Sequence, residues 1–354
     1  MAGGIGARFW PMSRKDMPKQ FLDILGTGRS LLQQAFDRFS KIVPVGNIYV
    51  VTSVDYIDMV LEQLPALSPE QILGEPLRRN TAPCIAYAAY KIKTINPNAN
   101  LIVAPSDHLI LKEEEFLRQI AFGLDFVSNN RALLTLGIHP SRPETGYGYI
   151  QVGDKAEYKS LDNLHYVKTF TEKPNAQMAK VFVDSGEFFW NSGIFLWSLP
   201  TILRAFNAHL HEVATLFAQG ERLYNTPNEK AFINKIYSEC MGISIDYGIM
   251  EKSDNVFVLT ADFGWSDLGT WGSLYENKEK DDSGNVVTGG NVLMYDNKNC
   301  IVNMPDGKIA VLQGLEGYIV VESNNTLLIC RRDDEQQIRQ FVNDVQLRNG
   351  PEYV

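Results

Sequence analysis

Histidine and cysteine are scarce in this chain, at five and four of 354 residues. None of the histidines has metal-ligand or catalytic-triad spacing. The cysteines (Cys84, Cys240, Cys300 and Cys330) lie far apart with no CxxC pair. That excludes a disulfide frame or a zinc site and predicts reduced core residues of a cytoplasmic protein. No GxSxG elbow is present, which disfavours acyl-transfer chemistry. No run of about 18 apolar residues exists, so no membrane span is expected, and the N-terminus lacks the apolar stretch of a signal peptide. Positive charge is also in deficit, with 33 Lys and Arg against 42 Asp and Glu and a net charge of −9. A general nucleic-acid binder needs clustered cations and is excluded on that ground. An acidic protein still binds nucleotides through a few local ones.

What is present is an ordinary globular composition, 45% hydrophobic, long enough for one large domain and a smaller one. Short aliphatic runs at 47–53, 101–108 and 132–138 read as strands buried on both faces. Between them Ala82, Ile85, Ala86, Ala89 and Tyr90, and then Phe116, Ile120, Leu124 and Val127, recur at helical spacing. Strand, helix, strand in that rhythm predicts a parallel sheet with crossover helices, in which ligands sit at the carboxyl ends of the strands. Residues 140–275 read as further strands and helical material. The polar stretch "KEKDDSGNVVTGGN" (278–291) reads as a linker. Beyond it, short strands at near-regular spacing predict a small all-β unit, with a helix closing the chain.

Chemistry concentrates in a few places. "GGIGARFWPMSRKDMPKQF" (3–21) opens with Gly3, Gly4 and Gly6, then adds Arg8 and Lys19. It lacks the GKS or GKT of a P-loop and the last glycine of a dinucleotide fingerprint. It reads as a loop of backbone N–H donors, with two cations arriving from the side to hold phosphate. Asp107, in "PSDH", falls at the end of a buried strand, a position suited to Mg²⁺, with helix capping as the alternative. Asp267, in "DFGWSDLGTW", completes a two-carboxylate metal site if the fold returns it to Asp107. In "FTEKP", Glu172 and Lys173 are neighbours, which on a regular strand point to opposite faces. Both reach one ligand only if the strand ends or bends there. Glu75, Asn80 and Thr81, in "EPLRRNTAP", stand at a helix entrance, either as caps or as hydrogen-bonding groups for a base edge.

Taken in order, "GGIGARFWPMSR…PKQF", "EPLRRNTAP", "PSDH", "TGYGYI", "FTEKP", "WNSGIF" and "WSDLGTW" resemble the mannose-1-phosphate guanylyltransferases, members of the sugar-nucleotide pyrophosphorylases. The resemblance covers nearly the whole chain. It implies a doubly wound, mostly parallel α/β nucleotidyltransferase domain over 1–280 and a short β-helix-like domain with a terminal helix over 281–354. It implies GMP transfer from GTP to mannose 1-phosphate, giving GDP-mannose and pyrophosphate with Mg²⁺ or Mn²⁺ as cofactor. Arg8 and Lys19 then serve the triphosphate and Asp107 and Asp267 the metal. Lys173 serves the sugar phosphate, Glu172 and Asn191 the sugar hydroxyls, and Gly146 a close backbone approach to the sugar. Guanine falls near Glu75, Asn80 and Thr81. The same resemblance leaves open another sugar 1-phosphate (heptose or fucose) and a non-catalytic regulatory homologue. A homodimer through the C-terminal domain is expected, with no nucleic-acid or membrane partner. Family members carry an apolar strand immediately before the "AGG" turn, where Met1 stands here. A form extended at the N-terminus is therefore expected to be more stable and more active.

Overall fold

A computed structural model describes residues 1–159 and 162–354. The chain divides into two compact units. The larger comprises Met1–Gly3, Arg38–Pro105 and Ile110–Trp265, and the smaller Gly4–Asp37, Ser106–Leu109 and Ser266–Val354.

In the larger unit the strands Val50–Ser53 and Ile72–Glu75 pair in parallel. A separate six-stranded sheet has the order Asn100–Val103, Phe188–Ser198, Leu133–Ile138, Val256–Ala261, Leu164–Glu172, Gly148–Lys155. Every residue of Leu133–Ile138 is buried, as its largely aliphatic sequence predicts for a central strand. The α/β class is as expected, but the mostly parallel pairing is corrected in this sheet. Among the described residues, only Leu133–Ile138 and Val256–Ala261 run parallel within it. The long strand Phe188–Ser198 runs antiparallel to three neighbours. Gly148–Lys155 and Leu164–Glu172 are joined by a short connection, and antiparallel neighbours need no helical crossover.

The helix Thr81–Lys93 lays Ala82, Ile85, Ala86, Ala89 and Tyr90 into an apolar core shared with Leu199–His209, His211–Ala218 and Glu229–Glu239. Glu113–Asn129 buries Phe116, Ile120 and Val127 in a second core with Leu134, Leu136 and Leu196.

In the smaller unit the strands Val286–Thr288, Ile301–Asn303 and Tyr318–Ser323 stack in parallel, with Val286, Ile301 and Ile319 in register. Asn291–Tyr295 and Ile309–Gln313 stack in parallel as well. The result is a coil of short rungs closed by the antiparallel strand Thr326–Arg331. Buried Asn297 stitches the rungs together. Its amide donates to the Leu312 carbonyl at 2.7 Å, and its oxygen accepts from Leu315 N at 2.8 Å. The stretch read as a linker therefore contains the first rung. Its single buried residue, Val286, is followed by the exposed Val287, so no alternation betrays it. The helix Ile338–Asn349 packs Phe341, Val342 and Val345 against a core of Phe9, Trp10, Trp271 and Ile338. All four cysteines are free and buried.

Candidate active site

The glycine-rich opening is shaped by the segment that follows it. In the smaller unit Lys19 N donates to the Ile5 carbonyl at 3.1 Å, and the Gln20 side-chain amide donates to Gly4 O at 3.0 Å. Gly6 adopts φ 74°, where a β-carbon would lie 2.4 Å from the Cβ of Lys19. Only glycine fits that turn. Gly3 belongs to the larger unit, where a β-carbon on it would meet Glu75 Oε2 at 3.5 Å.

Lys19 is almost fully buried, and its ammonium joins three partners. Nζ lies 2.9 Å from Asp107 Oδ2 and donates to the carbonyls of Asp267 at 2.7 Å and Leu268 at 2.9 Å. Three acceptors match the three N–H directions of an ammonium. Lys19 thus ties together two acidic segments that are far apart in sequence. Asp267 Oδ1 accepts from Gly269 N at 2.8 Å, in a turn where Leu268 holds φ 43°. Such a conformation costs a branched, non-glycine residue on the order of 1 kcal/mol or more and tends to persist at functional sites. A β-carbon at Gly269 would fall 2.4 Å from Asp267 Oδ2 and 3.0 Å from Arg8 Nη2, so the Arg8 guanidinium reaches the same turn. The fold therefore brings together Arg8, Lys19, Asp107 and Asp267.

Burial works to raise the Asp107 carboxyl, but Lys19 and His108 pull it below the ordinary value, so it is a carboxylate at neutral pH. Among the described residues no cluster of three or more His, Cys, Asp or Glu is suited to hold a metal by itself. Two carboxylates completed by phosphate oxygens are the donor set that Mg²⁺ accepts, and Asp107 with Asp267 fits it.

The larger unit carries the other candidates. Glu75 ends its strand buried, with Oε1 accepting from the Tyr237 hydroxyl at 3.0 Å. Burial pushes its carboxyl up to about 7, against the opposing pull of Tyr237, the Met1 amino group and Arg78. Asn80 (φ 68°) caps the helix Thr81–Lys93 through Thr81 N, and the Thr81 hydroxyl accepts from Ile245 N at 2.8 Å. The capping role of Asn80 is thus realised.

Glu172 and Lys173 reach one another because Lys173 turns into φ 47° at the strand's end, putting Nζ 2.7 Å from Glu172 Oε1. This is the bend their adjacency required. The Glu172 carboxylate lies against Gly148, where a β-carbon would come within 2.6 Å of Oε2 and 3.5 Å of the Asn191 Cβ. Gly148 leaves the room for that approach of Glu172. Gly146, expected to let the backbone approach the sugar, donates its N–H to Glu144 Oε1 at 3.0 Å.

Asn191 Nδ2 donates to Asp246 Oδ1 at 2.7 Å, and Asn191 Oδ1 accepts from Gly193 N at 3.2 Å. Asp246 is the residue that sequence reasoning missed. It opens a π-helical turn, Asp246–Met250, a geometry frequent at functional sites. Burial raises its carboxyl, with the nearby Glu172 charge adding to the effect and the Asn191 hydrogen bond opposing it. The available signal was an acid set among apolar residues in "SIDYGIM".

Residues 1–284 match the family described as nucleotidyl transferase, and 290–345 the MannoseP isomerase/GMP-like beta-helix domain. A mannose-1-phosphate guanylyltransferase of Escherichia coli is 34% identical, over 100% of this chain and 76% of its own length. The alginate biosynthesis protein AlgA of Pseudomonas putida is 37% identical, over 97% of this chain and 70% of its own. A crystal structure from Thermus thermophilus, described as a mannose-1-phosphate geranyltransferase, superposes with a TM-score of 0.87 at 29% identity, covering 98% of each chain. The chain belongs to the nucleotidyl transferase family, among the mannose-1-phosphate guanylyltransferases.

Proposed function

We propose that this protein transfers GMP from GTP to α-D-mannose 1-phosphate, yielding GDP-mannose and pyrophosphate. The observation that carries this reading is the gathering of Arg8, Lys19, Asp107 and Asp267 within one unit from three separate segments of the chain. The names borne by its relatives point the same way.

The chemistry needs no general base. The second pKa of a phosphate monoester is about 6, so the sugar phosphate is mostly a dianion at neutral pH. One of its oxygens attacks the α-phosphorus, the α–β bridging P–O bond breaks, and pyrophosphate leaves with the electron pair. The protein's task is to bind two anions and neutralise developing charge. In this reading Arg8 holds nucleotide phosphate, while the backbone at Gly3, Gly4 and Gly6 permits close approach. Asp107 and Asp267 hold Mg²⁺ or Mn²⁺, which supplies neutralisation of phosphate charge when bound. Lys19, whose donors are engaged, acts as a positioning residue for both acids and keeps Asp107 ionised. Lys173 takes the sugar phosphate, and Glu172 and Asn191 the sugar hydroxyls, with Asp246 orienting the Asn191 amide. Glu75, Asn80 and Thr81 serve the guanine.

The reading includes a division into a nucleotidyltransferase domain over 1–280 and a β-helix-like domain over 281–354, cytoplasmic location, and no nucleic-acid partner. Among the described residues no helix is long and apolar enough to cross a membrane. A homodimer through the C-terminal strands is part of it, supported by the exposed side chains of Leu293, Tyr295, Ile309 and Val311. The test is pyrophosphate release with mannose 1-phosphate, comparing GTP with ATP, UTP and dTTP. Release with GTP, abolished in Asp267→Asn, is expected.

A further inference from the structure

Within the larger unit, the side chains assigned to the sugar leave one strong acceptor unused. Asn191 has most of its hydrogen-bonding capacity committed inside the protein. Its Oδ1 accepts from Gly193 N at 3.2 Å and from the Thr135 hydroxyl at 3.3 Å, and one N–H of Nδ2 goes to Asp246 Oδ1 at 2.7 Å. A side-chain amide has two N–H donors, so a single one remains. Asp246 is in the opposite situation. An ionised carboxylate offers about four lone-pair positions on its two oxygens. Among the described residues only the Asn191 amide and the backbone N–H of Asp246 itself donate to this one.

The backbone of Asp246 is fixed, so the side chain does not swing away to another donor. Glu251 N closes the π-helical turn on Asp246 O at 2.9 Å, and just before the turn Ile245 N donates to the Thr81 hydroxyl at 2.8 Å. A β-carbon on Gly248 would fall 2.7 Å from Leu210 Cδ1, which brings the turn close against its neighbour, and Ile245, Ile249 and Met250 are buried in the core. A half-buried carboxylate held with an oxygen open is costly to the folded chain unless a ligand donates to it.

Asn191 also relates Asp246 to Glu172. Asn191 Cβ and Glu172 Oε2 border the same space over Gly148, at 3.5 and 2.6 Å from the place a β-carbon would take. An amide N–H beside a carboxylate oxygen presents a donor next to an acceptor. A hydroxyl, which donates and accepts at once, matches that pair, and a second carboxylate serves a second hydroxyl. A phosphate oxygen only accepts and would be repelled by both acids, so this part of the site suits a polyol.

We propose that Asp246 is a direct ligand of the sugar, its Oδ2 accepting from a hydroxyl to which the remaining Asn191 N–H donates, and that this contact sets which sugar 1-phosphate is accepted. This rests on the proposed nucleotidyl transfer and deepens its sugar subsite.

The test uses the full chain with Asp246→Asn, checked for folding by circular dichroism. Asparagine keeps the shape and an oxygen for Asn191 Nδ2 but removes the charged acceptor. The KM for mannose 1-phosphate should rise about tenfold, the difference between a charge-assisted and a neutral hydrogen bond, while that for GTP stays near the wild-type value. Mannose 1-phosphate analogues that each lack one hydroxyl then identify the contact. Wild type should lose about tenfold or more in kcat/KM with one of them, and that loss should shrink in Asp246→Asn. Calorimetric titration of mannose 1-phosphate without nucleotide reads the contact apart from turnover. If wild type releases no pyrophosphate but binds the sugar phosphate in an Asp246-dependent way, the transferase reading fails and this one stands. Unchanged affinity and KM in Asp246→Asn overturn the proposal, because they leave Asp246 only the orienting of Asn191. So does a hydroxyl penalty of equal size in both proteins. Should asparagine fail to fold, Asp246→Ser takes its place, and a wild type indifferent to the loss of every hydroxyl overturns the proposal without any variant.

Discussion

Glu75→Gln should make the protein more stable, and by an amount that depends on pH. Glu75 is 9% exposed and is pushed from 4.5 up to about 7, first by burial. Below pH 4.5 both the folded and the unfolded chain hold this proton. Between pH 4.5 and 7 the unfolded chain releases it while the folded one keeps it, so stability falls as pH rises. Above about pH 7 the loss is complete. A change from 4.5 to about 7 corresponds to about 3 kcal/mol at 1.36 kcal/mol per pH unit. Glutamine preserves the shape and still offers an oxygen to the Tyr237 hydroxyl, so the neighbouring hydrogen bond survives. Urea unfolding of both proteins at intervals from pH 4 to 8 measures the difference. The advantage of the variant should grow by about 3 kcal/mol across that range, with most of the change between pH 5 and 7. A difference that stays level with pH would refute the reasoning, because it would mean that Glu75 ionises in the folded protein as it does in the unfolded chain.

Other expectations follow from the same geometry. Lys19→Met leaves the Asp267 and Leu268 carbonyls and the Asp107 carboxylate without their shared donor, and should cost about 2–4 kcal/mol in urea unfolding at pH 7. Because Asp107 is held below its ordinary value, its contribution is present at neutral pH and is lost as pH falls through the acid range. The deficit of the variant should therefore shrink below about pH 4. Gly148→Ala places a β-carbon 2.6 Å from Glu172 Oε2. It should raise the KM for mannose 1-phosphate several-fold while leaving that for GTP near the wild-type value, as steady-state kinetics would read. Light scattering should give twice the chain mass, and Leu293→Asp with Val311→Asp should shift it towards one chain, since both side chains are at least half exposed on paired rungs.

What the sequence revealed and what it hid divide along physical lines. Leu133–Ile138 and Glu113–Asn129 were legible because burial imposes a local pattern: a largely aliphatic run in one, helical spacing in the other. Strand direction was not legible. It depends on whether a connection crosses the sheet or folds back, and Phe188–Ser198 folds back. The first rung of the C-terminal coil escaped because a single buried valine makes no pattern. At the candidate site, glycines and charges next to Pro, Trp or Gly marked the segments that the proposed function uses. The partners did not show, because they are distant in the chain: Lys19 reaches Asp267 across 248 positions, and Asn191 reaches Asp246 across 55. Asp246 offered only an isolated acid within an apolar stretch. For Lys19 the sequence showed a cation suited to phosphate but not that its buried ammonium meets three acceptors of its own.

The account's central claim is tested most directly by pyrophosphate release from the purified protein with Mg²⁺ and mannose 1-phosphate. Release is expected with GTP and not with ATP, UTP or dTTP, and it should vanish in Asp267→Asn. Folded protein that releases none with any nucleotide, or that works equally well as Asp267→Asn, would contradict it.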